Sequence, residues 1–122
     1  MKNKKIIIIS IAVVAVAIIL AVIFMPKSTS GKTINLYVSD TCPHCKIVEE
    51  YIESNDIDKK VEFDIKEVTG SISNARELMD RANTCGINQN EVGVPLLWDG
   101  SKCLVGDVDI ISFFKDKAGL NQ

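Results

Sequence analysis

Residues Ile6 to Met25 form a run of 20 residues that carries no charge and is interrupted only by Ser10. At about 1.5 Å per residue a helix of that length reaches roughly 30 Å, the thickness of a hydrocarbon core. The run therefore reads as a transmembrane helix. The competing reading is a cleavable signal peptide, whose apolar stretch is shorter, about 7 to 15 residues, and ends in a small-x-small site. The exit here is Ile23-Phe24-Met25-Pro26-Lys27, with no such site and no cysteine that could accept a lipid. An uncleaved anchor is expected. Lys2, Lys4 and Lys5 precede the run, and only Lys27 and Lys32 follow it closely. That asymmetry favours a cytoplasmic N-terminus at residues 1–5 and a C-terminal domain outside.

Pro26-Lys27-Ser28-Thr29-Ser30-Gly31-Lys32 is polar, holds Pro and Gly, and lacks apolar periodicity, so residues 26–32 read as a tether. The folded part is then 33–122, long enough for one small core and no second domain. It holds nine of the 14 Lys and Arg against all 16 Asp and Glu, a balance of −7. This argues against a nucleic-acid surface. The acidity is read as solvated helix faces rather than as an acidic binding site.

Cys42-Pro43-His44-Cys45 follows an apolar run (Ile34, Leu36, Tyr37, Val38) and precedes an amphipathic one. Strand, C-x-x-C, helix is the context of a thiol-disulfide site. A cysteine at a helix start meets unpaired backbone N–H groups and the positive end of the helix dipole, both of which favour thiolate. Cys42 is thus the expected attacking sulfur. Pro43 suits the first turn because its missing N–H would have had no partner there, and Cys45, one turn on, is placed to resolve a mixed disulfide.

Helical spacing over 43–54 puts Ile47, Val48, Tyr51 and Ile52 on one face. Val61, Phe63 and Ile65 alternate with charged residues, the period of a half-buried strand. Ile72, Ala75, Met79 and Ala82 predict a second helix that ends near Cys85, with Gly86 available for a left-handed cap. Pro95–Trp98 and Lys102–Val105 flank Asp99-Gly100-Ser101 as a hairpin, with Trp98 in its core. A last helix is expected from about Asp107, read as its cap, to Ala118, with Gly119 ending it. The order is βαβαββα. Crossover helices imply parallel pairing in the first half, and the hairpin adds an antiparallel strand, giving an α/β mixed four-stranded sheet flanked by helices.

With this order and motif position the domain resembles the thioredoxin superfamily, and in size it looks most like a glutaredoxin. The resemblance covers about Thr33 to Leu120. It rests on Cys42-Pro43-His44-Cys45, on Val94-Pro95 opening the third strand where the family carries a cis-proline, and on Gly106-Asp107-Val108-Asp109, similar to the glutaredoxin Gly-Gly-x-x-Asp pattern. The resemblance implies Cys42 and Cys45 as the redox-active pair and Val94, through its backbone, with Pro95 as a substrate-chain contact. Gly106 and Asp109 match a glutathione-holding pattern. Val105, Gly93 and Ser39 depart from it, standing where a Gly, a Thr and a Lys are usual. A glutathione carboxylate could meet the last helix's N-terminus, but two supporting groups are missing, which argues against dependence on glutathione. No cofactor is expected. The Cys-Pro-His-Cys tetrapeptide looks like the active site of the DsbA family of disulfide-forming oxidants. His44, with Pro43, would then tune the nucleophile by stabilising the Cys42 thiolate.

A zinc reading would recruit His44, Cys85 and Cys103, but neither further cysteine has a partner at short spacing, so no metal site is expected. Cys103, in an apolar strand, reads by default as a buried structural thiol. If the domain lies outside, an even count of four also allows a Cys85–Cys103 disulfide. The leading expectation is a membrane-anchored thiol-disulfide oxidoreductase acting on cysteine-containing exported proteins or a membrane redox partner. A cytoplasm-facing glutaredoxin-like reductase and a redox-inert thiolate module for zinc or copper(I) are the alternatives.

Overall fold

Strict alternation along β1 (Asn35–Val38) sends Leu36 and Val38 to one side of the sheet and Tyr37 to the other, and every residue of this strand is buried. A strand covered on both faces must be central. In the computed structural model, which describes residues 1–23 and 33–121, the sheet order is β2-β1-β3-β4. β1 is followed by α2 (Pro43–Ser54), a 3-10 turn (Ile57–Lys59), β2 (Asp64–Glu67), α3 (Ile72–Thr84), a second 3-10 turn (Gln89–Glu91), β3 (Leu96–Trp98), β4 (Cys103–Val105) and α4 (Asp107–Lys117). β1 and β2 pair in parallel, as a crossover through α2 requires, and β3 pairs antiparallel with both β1 and β4.

Leu36, Val38 and Leu97 pack with Cys45, Val48 and Ile52 of α2 and with Ile110 and Phe114 of α4. Tyr37, Leu96 and Trp98 pack with Leu78 and Ala82 of α3. The fold is thioredoxin-like α/β, a mixed four-stranded sheet with helices on both faces, as the element order implied. Gly86 and Gly119 follow α3 and α4 with φ of 72° and 70°, the left-handed conformation expected at these helix ends.

The N-terminal helix belongs to a separate unit of the chain. α1 (Lys2–Ile23) is apolar all round, and its described side chains are exposed. Its Lys2–Ala21 stretch, with a mean hydropathy of 2.6, is long and apolar enough to cross a membrane. The last residues of the apolar run, 24–25, and the expected tether, 26–32, lie outside the described residues.

Several local expectations are corrected. β2 starts at Asp64, not near Val61. Val61 is buried and Phe63 packs on the core, with its ring 4.8 Å from that of Phe114, yet both precede the strand. Ile65 is half exposed on this edge strand. The inner face of α3 keeps Ala82, as expected, but turns towards Leu78, leaving Ile72 74% exposed. Asp107 does not cap α4: Gly106 occupies the cap position, and Asp107 is the first helical residue. Cys103 is not a lone buried thiol but is joined to Cys85, with Cα atoms 6.0 Å apart across 18 residues.

Candidate functional site

The turn between β1 and α2 is braced from several sides. The Cys42 N–H donates to the Ser39 carbonyl at 3.1 Å. The Ser39 hydroxyl lies 2.7 Å from that of Thr69 and 3.2 Å from that of Thr41. Thr69 and Gly70 in turn donate their backbone N–H groups to the Glu67 carboxylate, each at 2.7 Å. The Gly70 and Thr69 N–H groups hold the Glu67 carboxyl below the usual carboxylate range, because they favour the ionised acceptor. Ser39, which departs from the glutaredoxin pattern, thus ties the β1 end to the β2–α3 turn.

On this braced turn Cys42 is itself the N-cap of α2, in extended conformation, with Pro43 opening the helix. Its side chain takes the place of the usual oxygen cap: the Cys45 N–H donates to Cys42 Sγ at 3.1 Å. That N–H is one of the helix's orphan donors, and such a donor favours negative charge on the sulfur it meets. Cys42 and Cys45 form a disulfide with Cα atoms 5.2 Å apart. Cys45 is fully buried, whereas Cys42 is only half-buried. The two cysteines of one bond therefore differ in exposure.

Facing them, the Val94–Pro95 peptide bond is cis, and the Val94 carbonyl oxygen lies 3.5 Å from Cys42 Sγ. Pro95 is fully buried, and its carbonyl accepts the Gly106 N–H at 3.0 Å. Gly106 has φ of 90°, a conformation L side chains rarely adopt, so the β4–α4 joint depends on glycine here. From that joint Asp107 reaches back to α2: its Oδ1 lies 3.0 Å from Nδ1 of His44, across 63 residues.

Cys42, Cys45, Val94, Pro95 and His44 are thus gathered in one place, and Gly106 joins them through Pro95. Pro43 is exposed beside them. Asp109 is also exposed, but it lines a shallow depression with Lys102, Leu104, Phe113 and Asp116, and the α4 carboxylate that reaches the motif is Asp107. Sequence reasoning assigned Asp107 to a cap because its contact with His44 is long-range. The signal available was only its place directly after Gly106. Cys85 and Cys103, which a zinc site would have recruited, are bonded to each other, and among the described residues no group of three or more His, Cys, Asp or Glu is placed to hold a metal.

With this geometry in place, comparison with known proteins adds no identity: no protein-family model matches the chain, and no curated protein is significantly similar to it.

Proposed function

We propose that the chain is a membrane-anchored thiol-disulfide oxidoreductase of the thioredoxin superfamily that works outside the cytoplasm on cysteine-containing protein substrates. The observation that carries the reading is Cys42 itself: a half-buried cysteine at a helix N-cap, its sulfur receiving the Cys45 N–H, bonded to a fully buried cysteine and facing the Val94 carbonyl. In the oxidising direction a substrate thiolate attacks Cys42 Sγ, the Cys42–Cys45 bond breaks, and its electron pair leaves on Cys45 Sγ, which takes up a proton. The second substrate thiol then attacks the substrate sulfur of the mixed disulfide. Cys42 leaves as a thiolate, the substrate is oxidised by two electrons, and the pair is left reduced. A partner carrying an oxidised cysteine pair, such as a membrane redox protein, completes the cycle by the reverse exchange. His44 favours this direction because stabilising the thiolate stabilises the reduced form.

The Cys85–Cys103 disulfide supports the extracytoplasmic side, since disulfides persist in oxidising compartments and are rare in the cytosol. α1 and the lysines ahead of its apolar run agree with that topology.

The test uses the full chain carrying Cys45→Ser, which leaves Cys42 free. In intact cells Cys42 should react with a membrane-impermeant maleimide and accumulate mixed disulfides with exported proteins, and Cys42→Ser should abolish both. Labelling only after lysis would move the domain to the cytoplasm. Labelling without mixed disulfides would leave a binding module rather than an exchange enzyme.

A further inference from the structure

The geometry points to Asp107 as a positioning residue for His44: its carboxylate holds the imidazole at the mouth of the Cys42–Cys45 pair and so helps set how oxidising that disulfide is. This rests on the exchange function proposed above and adds to it a residue outside the tetrapeptide.

The His44 side chain is 67% exposed at the start of α2. Its hydrogen-bond partner comes from α4, and that partner is built in rather than incidental. Gly106 has no side chain to cap with and occupies the α4 cap position, so Asp107 stands one residue further along, with its carboxylate turned to His44 instead of to the helix's own N–H groups. The Asp107 side chain is only 22% exposed. The Gly106 N–H to Pro95 carbonyl bond that ties α4 to the cis-proline loop also fixes the residue next to Asp107. Thus the element that faces Cys42 and the one that holds His44 share a single joint.

The consequence is chemical. With Nδ1 engaged by Asp107, Nε2 is the ring nitrogen outside that contact, and in the imidazolium form its N–H is the donor that can meet a thiolate. When Cys42 leaves a mixed disulfide it takes the electron pair of the broken S–S bond and becomes a thiolate. An imidazolium held in place stabilises that anion for more of the time than one that swings into solvent. Asp107 acting directly on the thiolate would do the reverse, because its own negative charge opposes the anion. The two routes therefore differ in sign.

The experiment is an equilibrium titration of the full chain in detergent micelles against reduced and oxidised glutathione, read by alkylation of free thiols. Asp107→Ala and Asp107→Asn are each made in the wild-type and in the His44→Gln background. Where His44 is present, both should make the disulfide less oxidising by about threefold in the exchange constant, a size set by an exposed ion pair. Where His44 is absent, neither should move it, and Asp107→Glu should restore most of the wild-type value. An unchanged constant, a shift of opposite sign, or an equal shift in both backgrounds would overturn the role. The wild-type constant judges the oxidant reading separately: a disulfide as reducing as thioredoxin's sinks that reading, while the dependence on His44 still decides the role of Asp107.

Discussion

The two disulfides of this domain sit at opposite ends of helices and on opposite sides of the sheet. Cys42 is the N-cap of α2 and packs against the α2–α4 core. Cys85 is the C-cap of α3, and both it and Cys103 pack against the α3 core. Both pairs approach a carbonyl, since Cys103 Sγ lies 3.5 Å from that of Arg81 and Cys42 Sγ 3.5 Å from that of Val94. Among the described residues only Cys42 also receives a backbone N–H on its sulfur. A thiolate is welcomed at the positive end of a helix and opposed at the negative end. The same covalent bond is thus a candidate for exchange in one place and a staple in the other. On the proposed function, helix polarity, rather than the presence of a disulfide, separates the exchanging pair from the structural one.

The largest effect that could break this comparison comes from deleting each pair. Cys42→Ser should lower exchange with a protein dithiol by roughly a thousandfold or more, as loss of a nucleophile does. Cys85→Ser with Cys103→Ser should leave the exchange rate within about twofold yet cost about 3 kcal/mol of stability, the scale for a loop of this length. Denaturant unfolding and a thiol-exchange assay on the same samples decide it. If the second pair proved necessary for turnover, it would be part of the redox machinery and the contrast would fail.

A smaller effect sharpens the electrostatic half of the contrast. On the oxidant reading the Cys42–Cys45 pair is more oxidising than thioredoxin, whose potential is about −270 mV. His44→Tyr should lower the potential by about 30 mV, equivalent to roughly 1.4 kcal/mol for two electrons. Titration in a glutathione redox buffer measures it, and a wild-type potential at thioredoxin's value that His44→Tyr leaves unmoved would point to a reductase.

The smallest effect concerns how each site is braced. The Cys85 end is held covalently, whereas the turn before Cys42 is held through Thr69 and the Glu67 carboxylate. Because folding lowers the Glu67 pKa, its contribution is complete above the ordinary carboxylate range and is lost as pH falls through the lowered value. Wild type and Glu67→Gln should differ in melting temperature most at neutral pH and converge in acid. Curves that stayed parallel would mean that the carboxylate does not brace the turn.

The element order was legible because apolar period and turn chemistry are local. The Cys42 N-cap was legible for the same reason: Pro43 and the residues around it specify a helix start within one turn. What escaped was set by partners distant in sequence. The inner face of α3 turns towards Leu78 because that side meets Trp98 and Cys103 of the hairpin. Arg81 lies over the Trp98 ring, 5.0 Å from its centroid, and Cys85 bonds to Cys103. The periodicity that included Ile72 carries no record of those neighbours. Val61 and Phe63 alternate as a strand would, yet they reach the core from the segment after the 3-10 turn, and no ladder forms before Asp64. Asp107 resembled a cap in isolation, because the imidazole that holds it belongs to a helix 63 residues earlier.

Val94 packs against the cores on both sides of the sheet while its carbonyl faces Cys42. A peptide group held from two directions has already lost most of its conformational freedom before any substrate arrives. On the proposed function, the entropic cost of aligning an extended chain beside the reactive sulfur then falls almost wholly on the incoming polypeptide. Such a ledge would favour a substrate segment already held extended and accessible over a fully unfolded one, which has more freedom to lose.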